Sequence, residues 1–448
     1  MSLGLCHACR AHFQNKILSR SPLNMYQRTV LNNGIRVVTN AMKERDSLAL
    51  GIWVGVGGRY EDDKNKGAAH FLEHILFKGT KKYACNEIKE MIEGVGGSLN
   101  AFTSEEYTCY FAKIPAKHLA ITFDVLADMV LVPRIAEKDV DKERTVILEE
   151  IKMYRDLPQY LVGELLDELV WPGIPLGKRL TGTPESVGAM SYLDLKSFHQ
   201  QHYSAGNIVV AAAGNLNHRS FVQLVGKRFA ALEGSTLSRF IPSQDNQQSP
   251  RVKFFRKDIE QMHLAIGAQG LDSSHPDRYA LSLFNIVLGA NMSSRLFNEV
   301  REKRGLAYAI SSGVKYMKDT GLFTVRAGVD NNKITEALKV ILNELEKITK
   351  NGVTKNEFTR AREYYMGQIL LELEDTLEHM FWIGESTVSL DRIRALNDVL
   401  REVKKIDLDD IKRVSSLVLK RNKFNASLVG PLKDEQEKQI KALMGVTK

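Results

Sequence analysis

Three ionisable residues fall within five positions of an otherwise apolar segment, AAHFLEHILFKGT. On an α-helix, residues three and four apart share a face, so His70, Glu73 and His74 would project within an arc of about 100°. Two imidazoles one turn apart can bind a single ion, and a hydrolytic zinc keeps three protein ligands and a water. The segment therefore predicts a zinc site that needs one more protein ligand.

The predicted helix KERTVILEEIKMYR offers three candidates for that ligand. Glu143 and Glu150 are seven residues apart and share one stripe of this helix. Val146 and Ile147 lie between them, which predicts that the stripe faces inward. Glu149 points about 100° away from it. We therefore expect Glu150 to complete the zinc shell and Glu143 to anchor a ligating histidine.

Glu73 remains as the general base, because it cannot comfortably coordinate the same ion as its neighbours. It would take a proton from a zinc-activated water, whose pKa the metal lowers towards about 7, and pass it to the leaving amine of a peptide. The alternative is structural, with His70 and His74 as hydrogen-bonded core residues and Glu73 in a surface ion pair. The apolar context favours the metal, because each buried polar group left unpaired costs roughly 1–3 kcal/mol.

The surrounding sequence predicts mixed strands and helices. YQRTVLNNGIRVVTN predicts a hairpin around an Asn-Asn-Gly turn, SLALGIWVGVGG and NIVVAAAGNL predict buried strands, and SLNAFTSEEYTCYFAKI alternates in polarity. Residues 116–130 and 136–155 have helical apolar spacing. This pattern predicts an α+β fold in which helices pack on a mainly antiparallel sheet.

The plan of the first half repeats after a polar, turn-rich segment near the middle of the chain. An offset of 218 residues places Glu150 on Gln368 within similar helical patterns. We therefore expect two similar domains related by internal duplication. The predicted segments are an extension or targeting segment at 1–24, a zinc-binding domain at 25–231, a linker at 232–250 and a second, metal-free domain at 251–448.

Composition excludes several classes of function. The formal charge of +8 does not indicate nucleic-acid binding, because residues 1–43 hold six Lys or Arg and no Asp or Glu, which leaves the rest at +2. Four cysteines in 448 residues do not form a disulfide framework and are typical of a reducing compartment. The sequence contains no run of 18 apolar residues, so it predicts no membrane-spanning helix. We expect a cytoplasmic protein, or a mitochondrial matrix protein if residues 1–24 are a presequence.

The sequence resembles the inverzincin metallopeptidases, the group of pitrilysin, insulysin and the mitochondrial processing peptidase, whose His-x-x-Glu-His motif inverts the thermolysin order. The resemblance covers nearly the whole chain from Tyr26 and is greatest to half-length bacterial members. It is carried by GGRYEDDKNKGAAHFLEHILFKGT, GGSLNAFTSEEYTCY, ERTVILEEIKMYRD, PLGKRLTGTPESV and HYSAGNIVVAAAGNL. By position it implies zinc ligands at His70, His74 and Glu150, a catalytic base at Glu73 and a supporting glutamate at Glu143.

The resemblance also implies residues that bind substrate. It assigns Asn100, Ala101, Phe102 and Thr103 to an exposed edge strand that pairs with the substrate backbone. The alternative is an ordinary edge strand without a ligand.

In the second half, REKRGLAYAISSG matches a family pair that positions substrate and the transition-state oxyanion. The pair falls on Arg301 and Tyr308, which the partner subunit can supply in half-length members. From the residues alone, they would be a helix-end charge and a half-buried aromatic.

The resemblance thus implies a zinc endopeptidase that acts on peptides or unfolded protein segments, in a chamber formed by two chains. The partner would be a second copy or a homologue, giving a homodimer or a heterodimer. The alternative is a non-catalytic core or partner subunit of a processing-peptidase-like complex, although such relatives usually lack the ligands that are intact here.

Overall fold

The computed structural model describes residues 26–234 and 237–446. The predicted extension or targeting segment at 1–24 lies outside the described residues, so it stays a prediction. Two sheets, each packed against helices, make up the described chain. This arrangement confirms the predicted α+β class with mainly antiparallel sheets.

The first sheet has six strands, and its one parallel pair lies inside it. The strands are β1 (Tyr26–Val30), β2 (Arg36–Ala41), β3 (Ser47–Val54), β4 (Ser98–Thr103), β5 (Thr108–Pro115) and β6 (Ile208–Gly214). Their order is β1-β2-β6-β3-β5-β4, in which β2 and β6 are parallel and the other neighbours antiparallel. Strand β4 is therefore an edge strand with one side free to pair with another chain.

The second sheet repeats this topology. Its strands are β7 (Arg251–Arg256), β8 (Gln261–Gly270), β9 (Ala307–Tyr316), β10 (Gly321–Asp330) and β11 (Asn425–Gly430). The order β7-β11-β8-β10-β9 is that of β2-β6-β3-β5-β4 with each number raised by five, and β7 and β11 form the matching parallel pair. This correspondence confirms the predicted internal duplication.

The helices follow the same duplication. They are α1 (Ala68–Leu76), α2 (Cys85–Glu93), α3 (Leu119–Leu131), α4 (Glu137–Asp156), α5 (Pro158–Val170), α6 (Pro184–Ala189), α7 (Tyr192–His202), α8 (His218–Arg228), α9 (Arg278–Leu288), α10 (Ile334–Asn351), α11 (Lys355–Glu372), α12 (Thr376–Leu390), α13 (Leu396–Lys405), α14 (Leu408–Val418) and α15 (Asp434–Met444). The offset of 218 carries the first residue of α4 onto that of α11, and the first residue of α5 onto that of α12. Within the described chain, no helix combines the length and the apolar character needed to cross a bilayer.

Each half covers the sheet of the other with one helix. Leu161 and Leu165 of α5 pack with Leu322 of the second sheet. Conversely, α12 packs against β2, β3 and β6. Strands β3 and β6 are therefore buried on both faces, and their sequences are almost continuously apolar. Gly384 of α12 lies directly over the Trp53 indole, where a Cβ would overlap the ring. The predicted domain boundaries stay predictions, and the two halves share these packed layers.

A buried ion network also joins the two halves beside β4. The Arg59 guanidinium donates to Glu106 at 2.5 Å and to Asp319 at 2.9 Å, and its side chain is almost completely buried. Glu106 lies in the turn between β4 and β5, whereas Asp319 lies in the turn between β9 and β10. The Lys318 backbone N–H also donates to Glu106 at 3.1 Å. These bonds fix the turn that follows the edge strand to the second sheet.

Candidate metal centre

A buried carboxylate fixes the start of α1. Glu61 accepts hydrogen bonds from the backbone N–H groups of Gly67 at 3.0 Å and Ala69 at 2.8 Å, which have no partner within the helix. The ammonium of Lys66 lies 3.0 Å from the same carboxylate and compensates its charge. The helix that carries the His-x-x-Glu-His motif therefore begins at a defined point and orientation.

Helix α4 presents a narrow inward face to α1. Its buried residues are Val140, Glu143, Ile147 and Ile151, at helical spacing. The predicted inward stripe is correct for Glu143 and Ile147. It is wrong for Val146, whose side chain is 48% exposed because that position lies about 100° round the helix from Ile147.

The two imidazoles and one carboxylate of the predicted ligand set lie together. The Nε2 atoms of His70 and His74 are each 3.6 Å from Oε2 of Glu150, and the ligand atoms of all three residues lie within 4.8 Å of one another. Among residues 26–234 and 237–446, this is the one group of three such side chains close enough to hold an ion. Glu149 points away, is 66% exposed and pairs with Lys152 at 2.7 Å.

Glu143 orients His74 towards this cluster. Its Oε1 lies 2.9 Å from Nδ1 of His74, and its Oε2 lies 2.5 Å from Nζ of Lys78. Burial tends to raise the pKa of Glu143, but the bonds from His74 and Lys78 outweigh it and hold that pKa below its usual range. The Nδ1–H of His74 donates to the ionised Glu143, so Nε2 of the ring faces Glu150. Burial lowers the pKa of His74, but the bond to Glu143 and the charges of Glu150 and Glu73 outweigh it and raise that pKa. Sequence reasoning missed Lys78, although its position four residues after His74 was a usable signal.

His70 is neutral at physiological pH. Burial, and then the proximity of His74, lower the pKa of His70 to about 3. Its Nδ1 is buried and has no hydrogen-bond partner among the described residues, so the ring makes its polar contact through Nε2. With the ring protons on the Nδ1 atoms, lone pairs of both imidazoles would face the Glu150 carboxylate, an arrangement that a bound cation stabilises. Two imidazole nitrogens and a carboxylate oxygen are a typical zinc ligand set.

Glu73 lies on the same helix face but is held by a different strand. Its Oε2 accepts a hydrogen bond of 2.6 Å from the hydroxyl of Thr103 in β4. Burial raises the pKa of Glu73 above its ordinary value, although the Thr103 bond opposes this effect. A carboxyl group of raised pKa is suited to accepting a proton and returning it near neutral pH.

A cavity of about 410 Å³ joins these residues to the edge strand. Its lining includes His70, Glu73, His74, Glu150, Ala101, Phe102 and Thr103. Asn100 is not part of this lining, and its Oδ1 accepts from the backbone N–H of Ala101 at 2.8 Å. Three of the four residues predicted to bind substrate therefore border the metal cluster.

Three further carboxylates line the cavity, Glu105, Glu164 and Asp167, and the last two come from α5. Lys178 and Arg179 also line it, and Nε of Arg179 lies 2.9 Å from the Glu164 carboxylate. Burial raises the pKa of Asp167 to about 7, and one of its carboxylate oxygens has no hydrogen-bond partner among the described residues. Sequence reasoning missed the two carboxylates of α5, because α5 reaches the cavity by packing on the second sheet rather than through any local pattern.

The predicted second-half pair lies apart from the metal cluster. Arg301 lies in a short π-helix, Phe297–Glu302, and its guanidinium is 5.7 Å from the ring centre of Tyr308 in β9. Tyr308 is 75% exposed rather than half-buried. Neither residue lines the cavity. The structure therefore brings Arg301 and Tyr308 to each other, but not to the metal cluster of the same chain.

Known families and proteins show where this chain belongs. The family model "Insulinase (Peptidase family M16)" matches residues 36–184, which contain the whole metal cluster. The family model "Peptidase M16 inactive domain" matches residues 189–365. Two solved structures share the fold, each with a TM-score of 0.85. A peptidase M16 inactive domain from Pseudomonas fluorescens is 22% identical and covers 92% of this chain and 98% of its own. A protease from Helicobacter pylori is 24% identical and covers 91% of this chain and 100% of its own.

Curated relatives are similar over nearly their whole length. A protein of Streptomyces coelicolor named as an uncharacterized zinc protease is 37% identical over 96% of this chain and 95% of its own. A Bacillus subtilis protein named as the uncharacterized zinc protease YmxG is 34% identical over 86% of this chain and 94% of its own. With this identity over this length, the chain belongs to the M16 peptidase family, as a member of the half-length bacterial type.

Proposed function

We propose that this protein is a zinc-dependent endopeptidase that hydrolyses peptides or unfolded protein segments. The observation that carries the proposal is the convergence of His70, His74 and Glu150 beside Glu73, at a cavity bordered by a free sheet edge. The zinc protease names of relatives from Streptomyces and Bacillus agree with it.

The residues of the cluster divide into three tasks. His70, His74 and Glu150 hold the ion, and Glu143 keeps the His74 ring in the orientation and tautomer that ligation needs. Bound zinc supplies polarisation of a peptide carbonyl and activation of water. Glu73 accepts the proton of the attacking water and returns it to the leaving amine.

The edge strand β4 binds the substrate in this proposal. An extended peptide can add to its free side through main-chain hydrogen bonds, which give affinity without fixing the sequence. The cavity beside β4 then receives side chains next to the scissile bond. Such a mode suits unfolded segments, because a folded domain has few unpaired strands to offer.

Metal dependence tests the proposal directly. The purified protein is expected to carry one zinc per chain and to cleave an unfolded protein such as reduced casein. A chelator should abolish cleavage, and added zinc should restore it. Unchanged cleavage by the metal-free protein would contradict the proposal. So would the absence of cleavage by the zinc-loaded protein, both as a homodimer and in complex with a homologue.

The same proposal gives Arg301 and Tyr308 a role through a second subunit. A guanidinium and a phenol suit the binding of substrate and of a developing oxyanion. Both lie outside the cavity of their own chain, and Tyr308 is exposed. We place them at the metal cluster of the partner, so that two chains complete each other's sites.

Co-expression of two inactive variants distinguishes this arrangement from a self-contained site. Glu73→Gln and Tyr308→Phe chains should each be impaired, whereas random dimers of the two should recover about a quarter of wild-type activity, since half are mixed and each mixed dimer has one intact site. Recovery would identify a homodimer. Activity of the mixture equal to the average of the separate variants would place Tyr308 outside the partner's site.

A further inference from the structure

The hydrogen bond from the hydroxyl of Thr103 to the carboxylate of Glu73 is shorter than a typical bond between neutral groups. The distance from Oγ1 to Oε2 is 2.6 Å, which is typical of a hydroxyl that donates to an ionised carboxylate. Thr103 is the last residue of β4, and Glu73 lies in the middle of α1. The contact therefore joins the strand that borders the cavity to the predicted base.

The pattern of the β4–β5 ladder shows which backbone groups face the free edge. The N–H of Ser104 donates to the carbonyl of Tyr107 at 2.8 Å, so these two residues form the hydrogen-bonded pair that closes the hairpin. In an antiparallel ladder the next pair, Thr103 with Thr108, is not hydrogen-bonded. The backbone groups of Thr103, and of Ala101 two residues earlier, therefore point away from β5 towards the free edge.

We propose that Thr103 is a positioning residue that sets the base against the substrate, an inference that rests on the proposed function. Its hydroxyl and its backbone N–H both donate to Glu73. Ala101 offers its carbonyl at the same free edge, where an extended peptide can pair, while its N–H donates to Oδ1 of Asn100. One strand thus fixes both the peptide and the carboxylate that acts on it, and their relative position does not depend on the flexible side chain of Glu73 alone.

A role in positioning predicts an effect on turnover rather than on binding. Thr103→Val keeps the size and branching of the side chain but removes the hydroxyl. It is expected to lower kcat by about 10- to 100-fold, with KM and zinc content unchanged, because the bond from the backbone N–H of Thr103 alone does not fix the orientation of the carboxylate. Thr103→Ser keeps the hydroxyl and should return kcat to within about threefold of wild type. If Thr103→Val does not fold, Thr103→Ala gives the same comparison.

Thr108→Val provides the matched control. Thr108 stands opposite Thr103 in the ladder, and its hydroxyl donates to the carbonyl of Val56 rather than to Glu73. We expect its kcat to stay near that of wild type. Wild-type kcat in Thr103→Val, or a kcat in Thr103→Ser as low as in Thr103→Val, would overturn the inference. Loss of activity in Glu73→Gln with normal activity in Thr103→Val would overturn this inference alone, whereas an active Glu73→Gln would overturn the proposed base itself.

Discussion

Replacement of Glu73 by Gln is expected to lower kcat for peptide cleavage by about 10²- to 10⁴-fold, because the carboxamide cannot accept a proton from water. The substituted side chain has almost the same size, and its carbonyl oxygen can still accept the hydroxyl of Thr103. His70, His74 and Glu150 are unchanged, so one zinc per chain should remain. Initial rates on a fluorogenic peptide and metal analysis of the same sample measure both outcomes.

The two readouts separate three explanations for Glu73. Loss of cleavage with retained zinc assigns Glu73 to proton transfer. Loss of both cleavage and zinc would make Glu73 a metal ligand. Unchanged cleavage would exclude Glu73 from the reaction, whereas no cleavage by zinc-loaded wild-type protein would favour a non-catalytic partner subunit with an intact metal site. Glu93→Gln is the control, since Glu93 is exposed at the end of α2 and should leave both values unchanged.

The parts of the site that sequence predicted depend on helical periodicity. His70, Glu73 and His74 lie at spacings of three and four, so one helix brings them to one face whatever surrounds it. The same reasoning selected Glu143 and Glu150 over Glu149 from a spacing of seven. It could not place α4 against α1, and the resemblance to a known family supplied that pairing.

The parts that sequence missed depend on contacts between distant segments. Thr103 meets Glu73 because β4 runs beside α1, and no local pattern encodes that distance. Asp167 reaches the cavity because α5 packs on the second sheet, although its sequence belongs to the first half. The duplication itself was visible as an offset of 218 residues, but the exchange of α5 and α12 between the sheets is a property of packing. Periodicity thus predicts which residues share a face, and tertiary packing decides which faces meet.

Replacement of Glu150 by Gln is expected to weaken zinc binding by more than about 100-fold, which exceeds the usual effect of altering a residue that only supports a ligand. The carboxamide oxygen is a weaker donor than a carboxylate, and the substitution also removes the negative charge that two neutral imidazoles cannot supply. Cleavage should fall in parallel at limiting zinc and recover partly at high zinc. Competition with a chromogenic chelator measures the affinity without relying on activity.

Glu149→Gln tests the same helix one position away. Its side chain is 66% exposed and pairs with Lys152, a surface contact worth at most about 1 kcal/mol, so zinc affinity should change by less than about twofold. The two variants remove the same charge from adjacent residues, and their difference therefore isolates the direction in which each side chain points. A loss of zinc in Glu149→Gln with normal binding in Glu150→Gln would mean that α4 is rotated by about 100° from the orientation described, and the metal cluster would have to be rebuilt around a different carboxylate.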